Sequence, residues 1–152
     1  MTALVVRDIA AGDFEAWKLL WDGYNAFYGR SGDTALPQAI THSTWARFLD
    51  ADEPVHALVA ERDGRLLGLA HYLFHRSTTS IGNHCYLQDL FTTQAARGTG
   101  VGRALIEAVY GRAKLAGAAR VYWQTHETNT TAMQLYDKLA ERSGFVVYRK
   151  PM

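Results

Sequence analysis

The chain has 152 residues, 48% hydrophobic and 20% charged, with a formal net charge of +1. That length suits a single domain, 1–152, around one core, and the near-neutral balance offers no bulk attraction to nucleic acid or to an anionic membrane. A single cysteine, Cys85, excludes an internal disulfide framework and fits a reducing compartment, so a cytoplasmic location is expected. No apolar run reaches membrane-spanning length, and the first nine residues lack the pattern of a signal peptide.

Leu4 to Asp8 reads as a first strand. From Asp13 to Tyr28, apolar or aromatic residues recur at Phe14, Trp17, Leu20, Trp21, Tyr24, Phe27 and Tyr28, spacings of three and four that define one helix face. Gly29 to Pro37 is a loop with Ser31-Gly32-Asp33 turn chemistry. Ser43 to Leu49 reads as a second helix through Trp45, Phe48 and Leu49. Val55–Glu61 and Leu66–Phe74 are strands joined through Asp63-Gly64, a strong hairpin signal. A polar loop, Ser77 to Asn83, leads into the next strand, His84 to Thr92. The helix after it, Gly102 to Gly117, places Leu105, Val109, Ala113 and Ala116 on one face, with Ile106 and Tyr110 flanking and Gly117 as C-terminal cap. Arg120 to Thr125 is strand-like, Asn129 to Tyr136 helical, and Val146 to Tyr148 a short β-rich tail. The order β-α-α-β-β-β-α-β-α-β implies a mixed α/β domain without a linker or boundary. The crossover from His84–Thr92 to Arg120–Thr125 should run parallel and right-handed.

The richest stretch is Arg97-Gly98-Thr99-Gly100-Val101-Gly102, between a strand and a helix. Three glycines at alternate positions leave backbone N–H groups uncovered, and the following helix points its positive end at the same place, which makes a pyrophosphate cradle. Arg97 adds a charge-assisted contact at the rim. A Walker loop needs Gly-Lys-Ser/Thr, but Arg103 and Ala104 follow Gly102 here. A dinucleotide fingerprint needs a third small residue where this chain has Arg103 or Leu105.

The Arg-x-x-Gly-x-Gly stretch resembles the acyl-CoA loop of the GCN5-related N-acetyltransferase family. Downstream, Asn129, Ala132, Leu135-Tyr136 and Gly144-Phe145 follow that family's order, so the resemblance covers Tyr86 to Tyr148 well and the N-terminal half in element order. Tyr86-Leu87-Gln88-Asp89-Leu90-Phe91 and Glu127-x-Asn129 resemble the small yeast histone and polyamine acetyltransferase subgroup, which includes members acting on free amino acids. The resemblance implies a central, mostly antiparallel sheet with one splayed parallel pair and about four helices. It implies acetyl-CoA as co-substrate and a small primary amine as acceptor: a polyamine, an amino acid, or with less support a protein lysine. It also implies a homodimer, in some members formed by exchange of the C-terminal strand. A non-catalytic acyl-CoA sensor is the alternative from another class.

By the same resemblance, the backbone of Gly98, Thr99, Gly100, Val101, Gly102 and Arg103 grips the pyrophosphate. The free strand groups of Leu90 and Thr92 meet the pantetheine arm, with Phe91 between them as a further cofactor-binding candidate, and the N–H groups of Leu90 and Thr92 polarise the thioester carbonyl. Asn129 touches the cofactor arm, although Asn is also a favoured N-cap. Tyr136 is the general-acid candidate, since a phenol with a pKa of about 10 stays protonated at neutral pH. The general base is the weak point. Many polyamine-acetylating relatives carry Glu where this chain has Gln88, which cannot accept a proton. Asp89 alternates with Gln88, so strand geometry sends the two to opposite faces. The order of candidates is Glu127, then Asp89, then water with backbone carbonyls. Tyr24, Tyr28 and Gln88 are candidates for lining the acceptor pocket. His71 and His75, four apart in a strand, do not make a metal pair, and no metal site is expected.

Overall fold

Side chains alternate across the central sheet, and that alternation assigns each helix to a face. The computed structural model describes residues 2–152. The elements are β1 (Val5–Asp8), α1 (Phe14–Phe27), α2 (Gln38–Phe48), β2 (Val55–Arg62), β3 (Arg65–His75), β4 (His84–Thr92), α3 (Val101–Leu115), β5 (Arg120–Tyr122) and α4 (Thr130–Leu139). The strands form one sheet in the order β1-β2-β3-β4-β5, antiparallel except for the parallel β4–β5 pair. The expected mixed α/β architecture is therefore present.

Val59 and Leu69 point to one face, where Trp17, Leu20, Trp21 and Tyr24 of α1 cover them together with Trp45 and Phe48 of α2. Leu58, Ala60, Ala70 and Leu87 point to the other, against Val101, Leu105, Ile106, Val109 and Ala113 of α3. Fully burying side chains such as Leu58 or Leu69 contributes about 1.5–3 kcal/mol each. Ile106 belongs to the centre of this face rather than its flank, whereas Ala116 is an exposed helix cap. The Asp63-Gly64 turn has both residues at positive φ, 54° and 75°, which matches the twist of the β2–β3 hairpin.

Three boundaries differ from the sequence reading. Helix α2 starts at Gln38, five residues earlier than the apolar spacing suggests, because Pro37 sets up its first turn and polar residues fill the next one. Strand β5 stops at Tyr122. The tail from Ala140 onward forms no helix or strand, and Phe145, Val146, Val147 and Tyr148 stand exposed in the single chain. The β-rich run there has no neighbouring strand to pair with, and an unpaired strand is not stable alone.

Strand β3 meets the start of α3 at a glycine. A Cβ on Gly68 would lie 2.8 Å from the Phe91 carbonyl oxygen, 2.9 Å from Val101 Cγ1 and 3.0 Å from Leu105 Cδ1. Backbone and fully buried side chains surround the point, so nothing there yields cheaply. Gly68→Ala is expected to destabilise the fold by about 1–3 kcal/mol. Urea unfolding reads this as a lowered midpoint, and an unchanged midpoint would contradict the close approach.

Candidate active site

Two features of β4 create the site, a parting from β5 and a bulge. The parallel pairing runs only through His84↔Arg120, Cys85↔Val121 and Tyr86↔Tyr122. From Leu87 onward β4 has no neighbour on that side. On the other side, Thr93 N–H bonds the Leu67 carbonyl at 2.9 Å. Antiparallel alternation then turns the N–H and C=O groups of Leu90 and Thr92 toward the open edge. The Phe91 side chain packs against α1, edge-on to Tyr24. Arg97 Nε donates to the Thr92 carbonyl at 3.2 Å, so of these outward groups that carbonyl already has a partner.

The glycine loop follows directly. Gly98 and Gly100 sit at φ 77° and 91°, where a side chain would be strained. Gly100 is the N-cap of α3, and the first intrahelical bond is Ala104 N–H to the Gly100 carbonyl at 3.0 Å. The N–H groups of Val101, Gly102 and Arg103 therefore remain free at the positive end of a 15-residue helix, beside the open strand edge. Thr99 Oγ1 ties the loop to the Ala96 carbonyl at 2.5 Å. Arg97 lies over the rings of Phe27 and Phe91, and Arg103 points outward with Glu107 3.7 Å away.

Helix α4 brings Tyr136 to the same edge. Its Leu135 reaches to 3.5 Å from the position a Gly102 Cβ would take. Tyr136 meets Trp123 edge-on at 5.5 Å, and among the described residues its hydroxyl has no hydrogen-bond partner. Burial first, and the neighbouring Tyr28 second, push its pKa up to about 12. Asn129 sits at the α4 N-cap without capping through its side chain, which instead donates to Thr125 Oγ1 at 3.1 Å. Glu127 lies on the exposed turn before α4 and does not line the cavity that holds Asp89.

On the α1–α2 side the bulge decides the chemistry. His71 pairs with Asp89 but Tyr72 with Leu87, leaving Gln88 as the extra residue. Leu87 and Leu90 both pack toward α3, so the two residues between them share the opposite face. The expectation that Gln88 and Asp89 point to opposite faces is thus corrected, because simple alternation fails at a bulge. Both line one cavity of about 400 Å³ together with Trp21, Asn25, Arg30, Arg47, Phe48 and His71. A second cavity of similar size lies against the last turn of α3, around Asp8, His56 and Arg112, and includes no residue of β4.

Asp89 is 9% exposed and His71 3%. His71 Nδ1 lies 2.9 Å from an Asp89 carboxylate oxygen, and the Trp17 indole N–H donates to His71 Nε2 at 3.0 Å. Indole has only a donor, so His71 Nε2 must be the acceptor, and the ring proton is on Nδ1, directed at Asp89. A buried Trp17–His71–Asp89 chain thus fixes the carboxylate. Tyr24 and Tyr28 stand near it. Burial first and the Asp89 charge second hold both phenols above their ordinary pKa. Sequence reasoning passed over His71 except to discount it as half of a metal pair. Trp17 lies 54 positions away from it, so no local signal reveals the contact. His75 instead meets the Tyr122 hydroxyl at 2.7 Å.

Trp17→Phe keeps most of the ring packing and removes the N–H. The variant leaves a buried imidazole nitrogen unpaired and is expected to lose about 1–3 kcal/mol of stability. Denaturant unfolding measures the loss. Nitrogen NMR of the unmodified protein is expected to show the His71 proton on Nδ1, and a proton on Nε2 would contradict the assignment.

A family model described as the acetyltransferase (GNAT) family matches residues 15–140. The chain is 38% identical over 149 residues to the D-amino-acid N-acetyltransferase HPA3 of Saccharomyces cerevisiae, an alignment covering 97% of this chain and 90% of that protein. It is 30% identical over 145 residues to the uncharacterized N-acetyltransferase YhfO of Bacillus subtilis, covering 94% of each. Its fold is similar to that of AAC(6')-Iy in complex with a bisubstrate CoA analogue, with a TM-score of 0.84 at 19% identity across 99% of both chains. The family match over most of the chain, the two full-length relatives and the glycine cradle at the splayed strand edge converge: the chain belongs to the GNAT family and is an acetyl-CoA-dependent N-acetyltransferase.

Proposed function

We propose that the acceptor is the amino group of a small free amino acid, and that it enters the cavity floored by Asp89 to attack acetyl-CoA held along β4. The observation that carries this reading is the bulge, which presents a buried, oriented carboxylate at the cavity beside the splayed strand edge. The yeast relative named as a D-amino-acid N-acetyltransferase supports the acceptor class.

The free N–H groups of Val101, Gly102 and Arg103 hold the pyrophosphate, with Thr99, Gly98 and Gly100 shaping the loop and Arg97 at its rim. The open N–H groups of Leu90 and Thr92 pair with the pantetheine arm and face the thioester oxygen, where they stabilise the developing oxyanion. An alkyl ammonium has a pKa of about 10.4, so a proton must leave before attack. Asp89 takes it. Glu127, the first candidate from sequence, is solvated on its turn, and its exposure argues against that role. The amine nitrogen then bonds to the acetyl carbon, the carbon–sulfur bond breaks, and Tyr136 gives its proton to the departing thiolate. Gln88 offers an amide to the acceptor beside Asp89, and Asn129 contacts the arm of the co-substrate.

We also propose a homodimer in the cytoplasm. Among the described residues the exposed apolar run Phe145–Tyr148 and the outer edge of the short strand β5 both lack a strand partner, a combination that invites pairing with a second copy. The lone cysteine, buried Cys85 with its thiol pushed up to about 11, suits a reducing compartment. No described helix is long and apolar enough to cross a membrane.

Tyr136→Phe is expected to lower kcat about 10²- to 10⁴-fold with little change in the KM for acetyl-CoA. With the phenol pushed up to about 12, its loss of a proton should not produce an alkaline limb below about pH 10. A Tyr136→Phe enzyme of undiminished kcat would remove the assignment. Gly98→Val should raise the KM for acetyl-CoA about tenfold or more by straining the loop. Light scattering at micromolar concentration should give twice the mass of the chain, with Val146→Asp shifting the population to monomer. A monomer for the unaltered protein would overturn the dimer.

A further inference from the structure

The proposed acceptor cavity contains two guanidinium groups with no part in the proton transfers. Arg30 and Arg47 both line it, and among the described residues neither forms an ion pair. Among the described residues Asp89 is the sole acid lining the same cavity, and the proton on His71 Nδ1 already faces it.

Arg30 is built into place. Helix α1 ends in a Schellman motif in which Gly29, at φ 80°, bonds the Ala26 carbonyl at 3.0 Å and the Arg30 N–H bonds the Asn25 carbonyl at 2.8 Å. The Arg30 Nε–H then donates to Asn25 Oδ1 at 2.7 Å. Asn25 is 4% exposed and is itself oriented by its Nδ2–H, which donates to the Trp21 carbonyl at 2.9 Å. The guanidinium carbon lies 5.9 Å and 5.6 Å from the ring centres of Tyr24 and Tyr28, a cation–π arrangement that holds its plane. Among the described residues both terminal nitrogens are without a hydrogen bond. Arg47, in the last turn of α2, also lines the cavity, and among the described residues its side chain makes no hydrogen bond.

Two unpaired guanidinium groups and one oriented carboxylate form the complement of a zwitterion. A polyamine would meet Arg30 and Arg47 as like charges, whereas an α-amino acid satisfies them with its carboxylate and offers its ammonium to Asp89. We propose that Arg30 and Arg47 are the carboxylate clamp that restricts this enzyme to amino-acid acceptors. Arg30 supplies a rigid, planar fork and Arg47 a second charge from α2. Leu36, Ile40 and Val55 complete the wall with apolar surface for the acceptor side chain. The clamp rests on the amino-acid reading above.

The test compares each hand of leucine with 3-methylbutylamine, the same molecule without its carboxylate, and with spermidine, in the full-length enzyme at saturating acetyl-CoA. The unaltered enzyme is expected to favour one or both leucines over the amine and over spermidine in kcat/KM. Arg30→Gln should reduce the leucine-to-amine ratio about 10- to 100-fold, mainly through the KM for leucine, and Arg47→Gln should reduce it in the same direction. Arg30→Lys should restore only part of the ratio, because an ammonium lacks the fork and the Nε–H that Asn25 holds. Arg47 is exposed and unbonded, so its replacement leaves a testable protein even if the Arg30 variants fold poorly. Equal use of leucine and 3-methylbutylamine by the unaltered enzyme would overturn the clamp and leave the transferase standing. A ratio unmoved in both the Arg30→Gln and Arg47→Gln variants would do the same. Turnover of spermidine with none of either leucine, or of no amine while acetyl-CoA still binds, would overturn the amino-acid reading and the clamp together.

Discussion

Strand β4 must be inside the sheet and at its edge at once, and the rest of the molecule is arranged around that constraint. Its first three residues pair with β5 and close the sheet, while its last six have no strand on that side. An extended segment with outward N–H and C=O groups would ordinarily be a liability, because it templates pairing with any passing strand. Here the open groups lie beside the α3 N-terminus, and a pantetheine arm is itself extended and rich in amides. In the proposed reading, the same unsatisfied groups that would invite aggregation become the co-substrate track. Gly68 lets α3 approach closely enough for its first turn to stand next to that track.

The bulge at Gln88 shapes the opposite face of the strand, where the proposed acceptor would enter. A regular strand would send neighbouring side chains to opposite faces and leave one of the polar pair buried against α3. One inserted residue turns both Gln88 and Asp89 to the α1–α2 side while Leu87 and Leu90 keep their places in the α3 core. The cost of burying Asp89 is offset by an ordered neighbour: His71 donates to it, and Trp17 fixes the His71 tautomer. Removing any member of such a chain leaves a buried polar group unpaired, so its members act as a unit. This chain also connects the aromatic core under α1 with the floor of the acceptor cavity, which makes fold stability and carboxylate orientation two consequences of one contact.

The charge arrangement divides labour between the two halves of the site. In the proposed reading, phosphate on the co-substrate side is held mostly by backbone, with Arg97 at the rim. The acceptor is held instead by side chains fixed by local motifs, Arg30 by the end of α1 and Asp89 by the bulge. Backbone recognition suits a ligand common to a whole family, and side-chain recognition suits one that varies between members. Helix ends and loops vary at little cost to the core, and Arg30 stands at such an end.

Much of this was legible in the sequence. Periodicities of two and three to four located the hairpin, α1 and α3. Asp63-Gly64 gave the turn, and the alternating glycines before Val101 gave the cradle, because each depends on residues close together in the chain. The tail could not be read so: Val146–Tyr148 has the composition of a strand, but pairing requires a neighbour that composition does not specify. The orientation of Asp89 was equally hidden, since a bulge is decided by the register of two strands rather than by either one. Trp17, His71 and Asp89 stand far apart in sequence, and only packing of α1 onto β3 and β4 brings a lone indole donor to a lone imidazole acceptor. By itself the sequence determined the order of elements as far as α4, the family and the glycine loop before α3, all of which rest on local propensity and contiguous motifs. The tertiary structure alone decided that Asp89 lines the cavity between α1 and α2 and which arginines line it with Asp89, because those depend on contacts between segments that are remote along the chain.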